Sequence, residues 1–190
     1  VALNNYMQDK ASGSIAYRNT IRCTVVPPDN SPRTYATVSP DRACNYIAWE
    51  DLTAYLDWSG LRPLTDLEFE KACRGTLEPV AGEFAWGNTV IVAQTGYEGT
   101  DGSGSETAKP AEANCCFDNK TGGPVRVGTY ATPGAERVAA GASFWGILDL
   151  SGNCWERIVS IGHATGRNYT GAHGDGTLNA ETHAANVPSW

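Results

Sequence analysis

The sequence predicts a loop-rich α+β fold with two helices, small antiparallel sheets and long loops, formed by one domain of 190 residues. The first helix is predicted over 49–58, where Leu52, Tyr55 and Leu56 follow the i, i+3, i+4 spacing of one helix face. Glycine and proline are abundant without any sequence period, which is typical of a globular domain with long loops.

A second helix is predicted after Pro63, which separates it from the first. Thr65 and Glu68 have the spacing of a capping box, in which each residue hydrogen-bonds the backbone of the other. Gly75 marks the end of the helix. The apolar face is predicted to consist of Phe69, Ala72 and Cys73.

The rest of the chain is less regular. Residues 1–43 are predicted to be irregular, and the glycine-rich stretch 87–124 is predicted to be a long, mobile loop excursion. Residues 125–130 and 154–161 are candidate strands. The tail from residue 162 has no hydrophobic period and is predicted to be loop.

Charge and hydropathy exclude two classes of partner. The formal net charge is −7, and the arginines are scattered among acidic residues. A nucleic-acid-binding protein requires a basic stripe along the phosphate backbone, so we expect no nucleic-acid partner. No apolar run approaches the length of a bilayer span, so we expect no membrane insertion.

The cysteines point to an oxidising compartment. The count of six is even, and none of them form the CxxC pairs of a zinc site. We therefore expect an extracellular or cell-surface protein with at least two disulfides, Cys23–Cys44 being the favoured pair because its loop closes at moderate entropic cost. The alternative is a cytosolic protein with reduced, buried thiols.

Oxygen donors are concentrated in residues 146–156. Asp149 and Glu156 bracket a turn at Gly152, and in an extended chain the carbonyls of Gly152 and Cys154 face the same way. Two carboxylates with two carbonyls form a hard-oxygen set of the kind that calcium prefers. The alternative is a buried strand with Trp155 in the core.

A family resemblance rests on five stretches that occur in a characteristic order and cover roughly residues 44–161. They are 49–63, 65–75, 84–87, 124–128 and 152–156. Together they closely resemble the formylglycine-generating-enzyme (sulfatase-modifying-factor) family, whose domains have a variant C-type-lectin fold. The resemblance implies that fold for residues 1–190. It also implies that the domain is incomplete at both ends, because the family's first and last strands are not recognisable.

The resemblance also implies cation sites. It implies calcium as the cofactor, and it includes a second, less securely matched site. The first site consists of Asp149, Gly152, Cys154 (through its carbonyl) and Glu156, and the second of Asn114 and the carbonyl of Cys115.

Catalytic members of this family oxidise a substrate cysteine with copper and oxygen, through a cysteine pair near an Arg-Gly-Gly-Ser motif. Residues 1–190 contain neither that motif nor a cysteine after Cys154, so the resemblance assigns no catalytic residue here. Cys115 and Cys116 are adjacent, but they lie in the loop excursion and do not match that pair.

Two functions therefore remain open. The first is a non-catalytic extracellular recognition domain, stabilised by calcium, that binds an unknown protein or glycan ligand through its loops. The second is an oxidoreductase of the formylglycine-generating type whose catalytic end lies outside this sequence. Loop aromatics would suit the first function, because they supply rigid contact area, but they would equally well fill gaps beneath long loops. These aromatics are Tyr97, Tyr130, Trp145 and Tyr169.

Overall fold

The structure is a computed structural model that describes residues 17–25, 33–118 and 120–190. Within these ranges it contains two α-helices and two small antiparallel sheets, as the sequence predicts. None of the described helices is long and apolar enough to cross a membrane. The elements in chain order are β1 (Arg22–Val25), β2 (Thr34–Ala36), α1 (Trp49–Trp58), α2 (Asp66–Arg74), β3 (Gly96–Glu98), β4 (Thr107–Lys109) and a 3-10 turn (Gly166–Asn168).

Helix α1 lies where the sequence predicts it, but it buries a different face. Its N-terminus is capped by Asp51, whose carboxylate accepts a hydrogen bond from the Ala48 amide at 3.0 Å. On the predicted apolar face Tyr55 is exposed and Leu52 and Leu56 are only partly buried. The buried residues of the helix are the polar Thr53 and Asp57. Polar groups occupy the inner face because Asp57 hydrogen-bonds the backbone of the C-terminal tail.

The capping box predicted for α2 is confirmed. The Glu68 amide donates to Thr65 Oγ1 at 3.2 Å, and the Thr65 amide donates to Glu68 Oε2 at 3.0 Å. Hydrogen bonding to the Arg62 guanidinium, at 2.5 Å, contributes most to lowering the pKa of Glu68 to about 2. The helix ends at Gly75, where φ is +67° and an added Cβ would lie 2.1 Å from the Phe144 ring.

Two regions predicted to lack strands form the small sheets. Within residues 1–43, β1 pairs antiparallel with β2. In the predicted loop excursion, β3 pairs antiparallel with β4, and Tyr97 lies opposite Ala108. The β3–β4 connection folds around Glu106, whose fully buried carboxylate accepts the Gly102 amide at 2.6 Å. A specific buried carboxylate therefore orders a segment whose composition indicates only a loop.

The prediction of strands at 125–130 and 154–161 is wrong. Each stretch forms one isolated bridge, Arg126 with Arg42 and Val159 with Thr65. Backbone groups at the first stretch are paired with a side chain, because Asn153 Oδ1 accepts the Val125 amide at 2.8 Å. The backbone is thus satisfied without a strand ladder.

The apolar core is small and is formed by residues between positions 113 and 130. Its buried cluster consists of Ala113, Cys116, Val125 and Tyr130. Trp86 is buried, whereas Trp58 and Trp155, which also lie in the five stretches, have exposed fractions of 63% and 98%. The alternative that placed Trp155 in the core of a buried strand is therefore wrong.

Candidate functional site

The turn at residues 149–156 is fixed tightly against the neighbouring chain. Asp149 adopts a left-handed conformation, with φ of +60°, and its Oδ2 accepts the Gly128 amide at 2.8 Å. Gly152 has φ of +97°, and an added Cβ would lie 2.4 Å from Cys115 Sγ. The Asn153 amide donates to the Cys116 carbonyl at 2.9 Å. The glycine is therefore needed both for its backbone conformation and for close approach.

The Asp149 and Glu156 carboxyls of this turn lie close enough to interact electrostatically. Partial desolvation, followed by the nearby Asp149 carboxylate, raises the pKa of Glu156 to about 7. Because Glu156 is exposed, solvent screens part of this interaction. Burial also raises the pKa of Asp149. Among the described residues, none donates a hydrogen bond to the carbonyls of Gly152 or Cys154.

Carboxylates and carbonyls without donors are the ligand types that a hard cation prefers. The Asp149 charge disfavours ionised Glu156, and a divalent cation near both carboxylates would offset that effect. The part of the chain that the structure describes contains no group of three or more His, Cys, Asp or Glu side chains placed to hold a metal. A cation here would therefore depend on backbone carbonyls as well as on Asp149 and Glu156.

The raised pKa of Glu156 predicts a pH dependence of stability in calcium-free protein. The folded pKa of about 7 lies above the ordinary value of 4.5, so the folded state binds this proton more tightly than the unfolded chain does. Lowering the pH from about 7.5 to about 5.5 should therefore raise the melting temperature of the wild type more than that of Glu156→Gln. Melts in chelator at both pH values measure this difference, and equal shifts in the two proteins would contradict it.

Carboxyls with lowered pKa values do not interfere in that window. The pKa of Glu68 is about 2, so its stabilising contribution is lost only as the pH falls through the acid range between its unfolded and folded values. The pKa of Asp66 is lowered too, with backbone hydrogen bonds such as that from Ile161 outweighing desolvation. Both contributions act below the window that Glu156 controls.

The second predicted cation site already uses its oxygens internally. Asn114 Oδ1 accepts the Val92 amide at 2.9 Å, and its Nδ2 donates to the Val138 carbonyl at 3.1 Å. The Cys115 carbonyl accepts the Gln94 amide at 2.8 Å. A cation there would have to share both predicted oxygen ligands with backbone amides. At the first site the Asp149 carboxylate also accepts an amide, from Gly128, but the Gly152 and Cys154 carbonyls accept none from the described residues.

All six cysteines are free in the structure. The expected Cys23–Cys44 disulfide is not formed, and Cys23 Sγ instead donates to the Val25 carbonyl at 3.4 Å. Cys115 and Cys116 are buried, with Cys115 Sγ donating to the Ser151 carbonyl at 3.3 Å. Burial raises the pKa of Cys115 to about 11 and raises that of Cys116 as well, so both are protonated thiols at neutral pH.

The loop aromatics divide into structural and exposed groups. Tyr130 is buried and donates to Gln94 Oε1 at 2.5 Å, and Tyr169 donates to the Pro63 carbonyl at 2.6 Å. Tyr97 packs beneath the Arg18 guanidinium, which lies 4.2 Å from its ring centroid. Tyr130 and Tyr169 therefore support the gap-filling interpretation, whereas Tyr97 keeps an exposed fraction of 36%.

Trp145 is the most exposed of these four loop aromatics, with an exposed fraction of 57%. Its indole is nevertheless fixed, because Nε1 donates to the Lys71 carbonyl at 3.1 Å and Phe144 packs edge-on at 4.9 Å. A rigid, half-exposed indole can contact a partner at low entropic cost.

The structure contains a buried ion-pair network that the sequence does not predict. Glu106 is fully buried and pairs with Arg18 at 2.6 Å, while its other oxygen accepts the Arg126 amide at 2.9 Å. Asp101 pairs with both Arg18 and Arg42. The sequence carries no signal for this network, because its partners lie far apart along the chain.

Comparison with known proteins decides the family. Residues 18–181 match the sulfatase-modifying factor enzyme 1-like domain, which covers most of the chain. The chain belongs to this family. The match confirms the resemblance drawn from the five stretches.

Curated relatives match shorter parts of the chain. It is 41% identical over 49 residues to the formylglycine-generating enzyme of Bos taurus, which covers 26% of this chain and 13% of that protein. It is 29% identical over 119 residues to the hercynine oxygenase of Mycolicibacterium smegmatis (61% and 21%). It is 35% identical over 57 residues to the formylglycine-generating enzyme of Thermomonospora curvata (30% and 18%).

The matches to the three relatives therefore cover at most 21% of each relative's length. No solved structure matches the chain.

Proposed function

We propose that this chain is a non-catalytic recognition domain with the C-type-lectin-like fold of its family, located outside the cell or at its surface. It binds a protein or glycan ligand through exposed aromatic side chains on a calcium-stabilised scaffold. The observation that carries the proposal is the exposure of three indoles, 98% for Trp155, 63% for Trp58 and 57% for Trp145. Tryptophans are enriched among the residues that dominate binding energy, whereas folding alone favours burying them.

Two features make these indoles suitable for recognition. Trp145 is held by a hydrogen bond to helix α2, so little conformational entropy is lost when it contacts a partner. Trp58 lies at the end of helix α1 beside Tyr55, with ring centroids 6.2 Å apart. Aromatic pairs on a rigid element supply contact area for sugar rings or apolar side chains.

Ligand binding is tested with two collections of probes, a glycan microarray and a phage-displayed peptide library. Wild-type protein should select members of one collection. Trp145→Ser or Trp155→Ser should weaken binding of the selected ligand by about tenfold or more. Val38→Ser is the control, because Val38 is also strongly exposed but not aromatic. Equal binding by all four proteins, or no selection from either collection, would contradict the proposal.

Calcium should stabilise the folded domain through the turn at 149–156. If it binds the folded state alone, the free energy of unfolding should rise by about 2.7 kcal/mol at a calcium concentration of about 100 times Kd. Thermal melts with calcium and with chelator measure this gain. The Asp149→Asn/Glu156→Gln double variant should lose it, whereas Asn114→Ala should retain most of it. An equal melting temperature of the wild type in calcium and in chelator, together with no metal in elemental analysis, would contradict the proposed site.

The second candidate function is oxidation of a substrate cysteine. It is favoured by the relatives named formylglycine-generating enzyme, and the relative named hercynine oxygenase adds a further oxidative activity to the family. Oxidation of a substrate cysteine by the formylglycine-generating mechanism requires cysteine thiolates that bind copper, a soft metal ion. The thiols of Cys115 and Cys116 are buried, donate to or contact oxygen atoms, and have raised pKa values. These features disfavour them as a copper-binding pair.

We therefore expect the 190-residue chain, with or without copper, to leave a cysteine-containing sulfatase peptide unconverted. Mass spectrometry of the peptide detects the aldehyde product, and a Cys115→Ser/Cys116→Ser variant sets the background. Aldehyde above that background would favour the enzyme. Reading the parent gene beyond Trp190 provides an independent test, since an Arg-Gly-Gly-Ser motif beside a cysteine pair would also favour the enzyme.

A further inference from the structure

Two cysteines from distant parts of the sequence meet at the surface. Cys154 Sγ donates to the Cys44 carbonyl at 3.8 Å, across a separation of 110 residues. Cys44 is exposed and Cys154 is partly exposed. A thiol-directed reagent can therefore reach this pair from solvent.

A second contact fixes the register of the two segments. Arg157 Nε donates to the Ile47 carbonyl at 2.9 Å, and this pair is also separated by 110 residues. Two contacts with the same offset, three residues apart, show that the segments at 44–47 and 154–157 run side by side in the same direction. The alignment places Cys44 directly beside Cys154.

We infer that Cys44 and Cys154 form a disulfide bond when the protein is exposed to a small-molecule disulfide such as oxidised glutathione. Both residues lie outside the regular helices and strands, so forming the bond breaks no helix or strand. Burial raises the pKa of the Cys44 thiol, and burial followed by the neighbouring Cys44 raises that of Cys154 to about 11. The exchange should therefore be slow at neutral pH, and it is measured at about pH 9, where more of each thiol is deprotonated.

Within the described residues, none of the other four thiols hydrogen-bonds a cysteine from a distant part of the sequence. Cys44 Sγ also donates locally, to the Asn45 carbonyl at 3.8 Å, but Cys44 is in addition contacted by Cys154. Cys23, Cys115 and Cys116 donate to or contact oxygens. Cys73 lies in helix α2, and its pKa is raised mainly by burial. The pairing inferred here thus replaces the Cys23–Cys44 pairing expected from loop length.

The reaction balances as thiol–disulfide exchange. The thiolate of Cys44 attacks one sulfur of oxidised glutathione, which releases one glutathione and leaves Cys44 glutathionylated. The thiolate of Cys154 then attacks the Cys44 sulfur and releases the second glutathione. Two protein thiols are oxidised, one glutathione disulfide is reduced, and the two thiol protons end on the two released glutathione molecules.

Peptide mapping without reduction tests the pairing. The folded chain is incubated with oxidised glutathione, blocked with an alkylating reagent and digested with trypsin. Cleavage after arginine and lysine, except before proline, places Cys44 alone in 43–71 and Cys154 alone in 138–157. Because contact raises their effective concentration, the linked 43–71/138–157 species should exceed any other linked pair by about tenfold or more.

Two variants and one condition sharpen the test. Cys154→Ser should abolish the linked species and leave Cys44 as a glutathione adduct, because the second exchange has no nucleophile. Cys23→Ser should leave the link intact. Wild-type protein oxidised in denaturant should lose its preference for the pair. Linkage of Cys44 to Cys23 or Cys73, or glutathione adducts on both Cys44 and Cys154 of the folded wild type, would overturn the inference.

Discussion

Replacing Glu106 with alanine should lower the free energy of unfolding by about 3–5 kcal/mol, because it would leave a buried arginine charge without its partner. Glu106 is fully buried and pairs with Arg18, whose side chain is only 9% exposed. Its carboxylate also accepts the backbone amides of Gly102 and Arg126, at 2.6 and 2.9 Å. One side chain therefore joins the N-terminal segment, the β3–β4 connection and the chain at 126.

Chemical denaturation measures the loss, and two further variants separate its causes. Glu106→Gln preserves the volume but removes the charge, so its effect should lie between those of wild type and Glu106→Ala. Glu98→Ala is the matched control, because Glu98 forms an exposed ion pair with Lys109 at 3.6 Å. Exposed pairs of this kind contribute about 0–1 kcal/mol. A loss from Glu106→Ala no larger than that from Glu98→Ala would contradict the role assigned to the network.

The features that the sequence predicts well are local. Helix α2 is set by a capping box whose two members are three residues apart, so no knowledge of the rest of the fold is required. Its end at Gly75 is also local, since the residue adopts a positive φ. Gly152 in the turn at 149–156 is also a local feature, because a glycine between two turn residues indicates a positive φ without knowledge of the rest of the fold.

The features that the sequence does not predict depend on distant partners. Glu106 is buried because arginines far away in the sequence neutralise it. Tyr55 is exposed and Asp57 is buried on the same helix because the C-terminal tail supplies hydrogen-bond donors to α1. Hydrophobic spacing assumes that a helix buries its apolar side chains, and here polar pairing decides the inner face instead.

The candidate cation site combines both kinds of information. The carboxylates Asp149 and Glu156 and the turn between them could be chosen from spacing alone. The difference between the two predicted sites could not, because it depends on which oxygens already accept hydrogen bonds. Asn114 Oδ1 and the Cys115 carbonyl each accept an amide. At the first site Asp149 Oδ2 accepts the Gly128 amide, but no described residue donates to the Gly152 carbonyl.

Replacing Asp57 with alanine should release the C-terminal tail from helix α1 and lower the free energy of unfolding by about 3 kcal/mol. Asp57 is fully buried, and its two carboxylate oxygens accept the amides of Asp175 at 3.1 Å and Asn186 at 2.9 Å. Alanine cannot accept either bond, and hydrogen bonds to a charged group contribute about 1.5–3 kcal/mol each. The tail amides would then bind water, and docking of the tail would weaken.

Hydrogen exchange at individual amides distinguishes tail release from general destabilisation. Asp175 and Asn186 should be protected in the wild type and should exchange faster in Asp57→Ala under conditions where the amides of helix α2 remain protected. Asp57→Asn retains one acceptor oxygen and should show an intermediate rate. Glu50→Ala, an exposed acid on the same helix, serves as the control. If the tail amides exchange equally fast in wild type and Asp57→Ala, then Asp57 does not hold the tail, and its burial must have another cause.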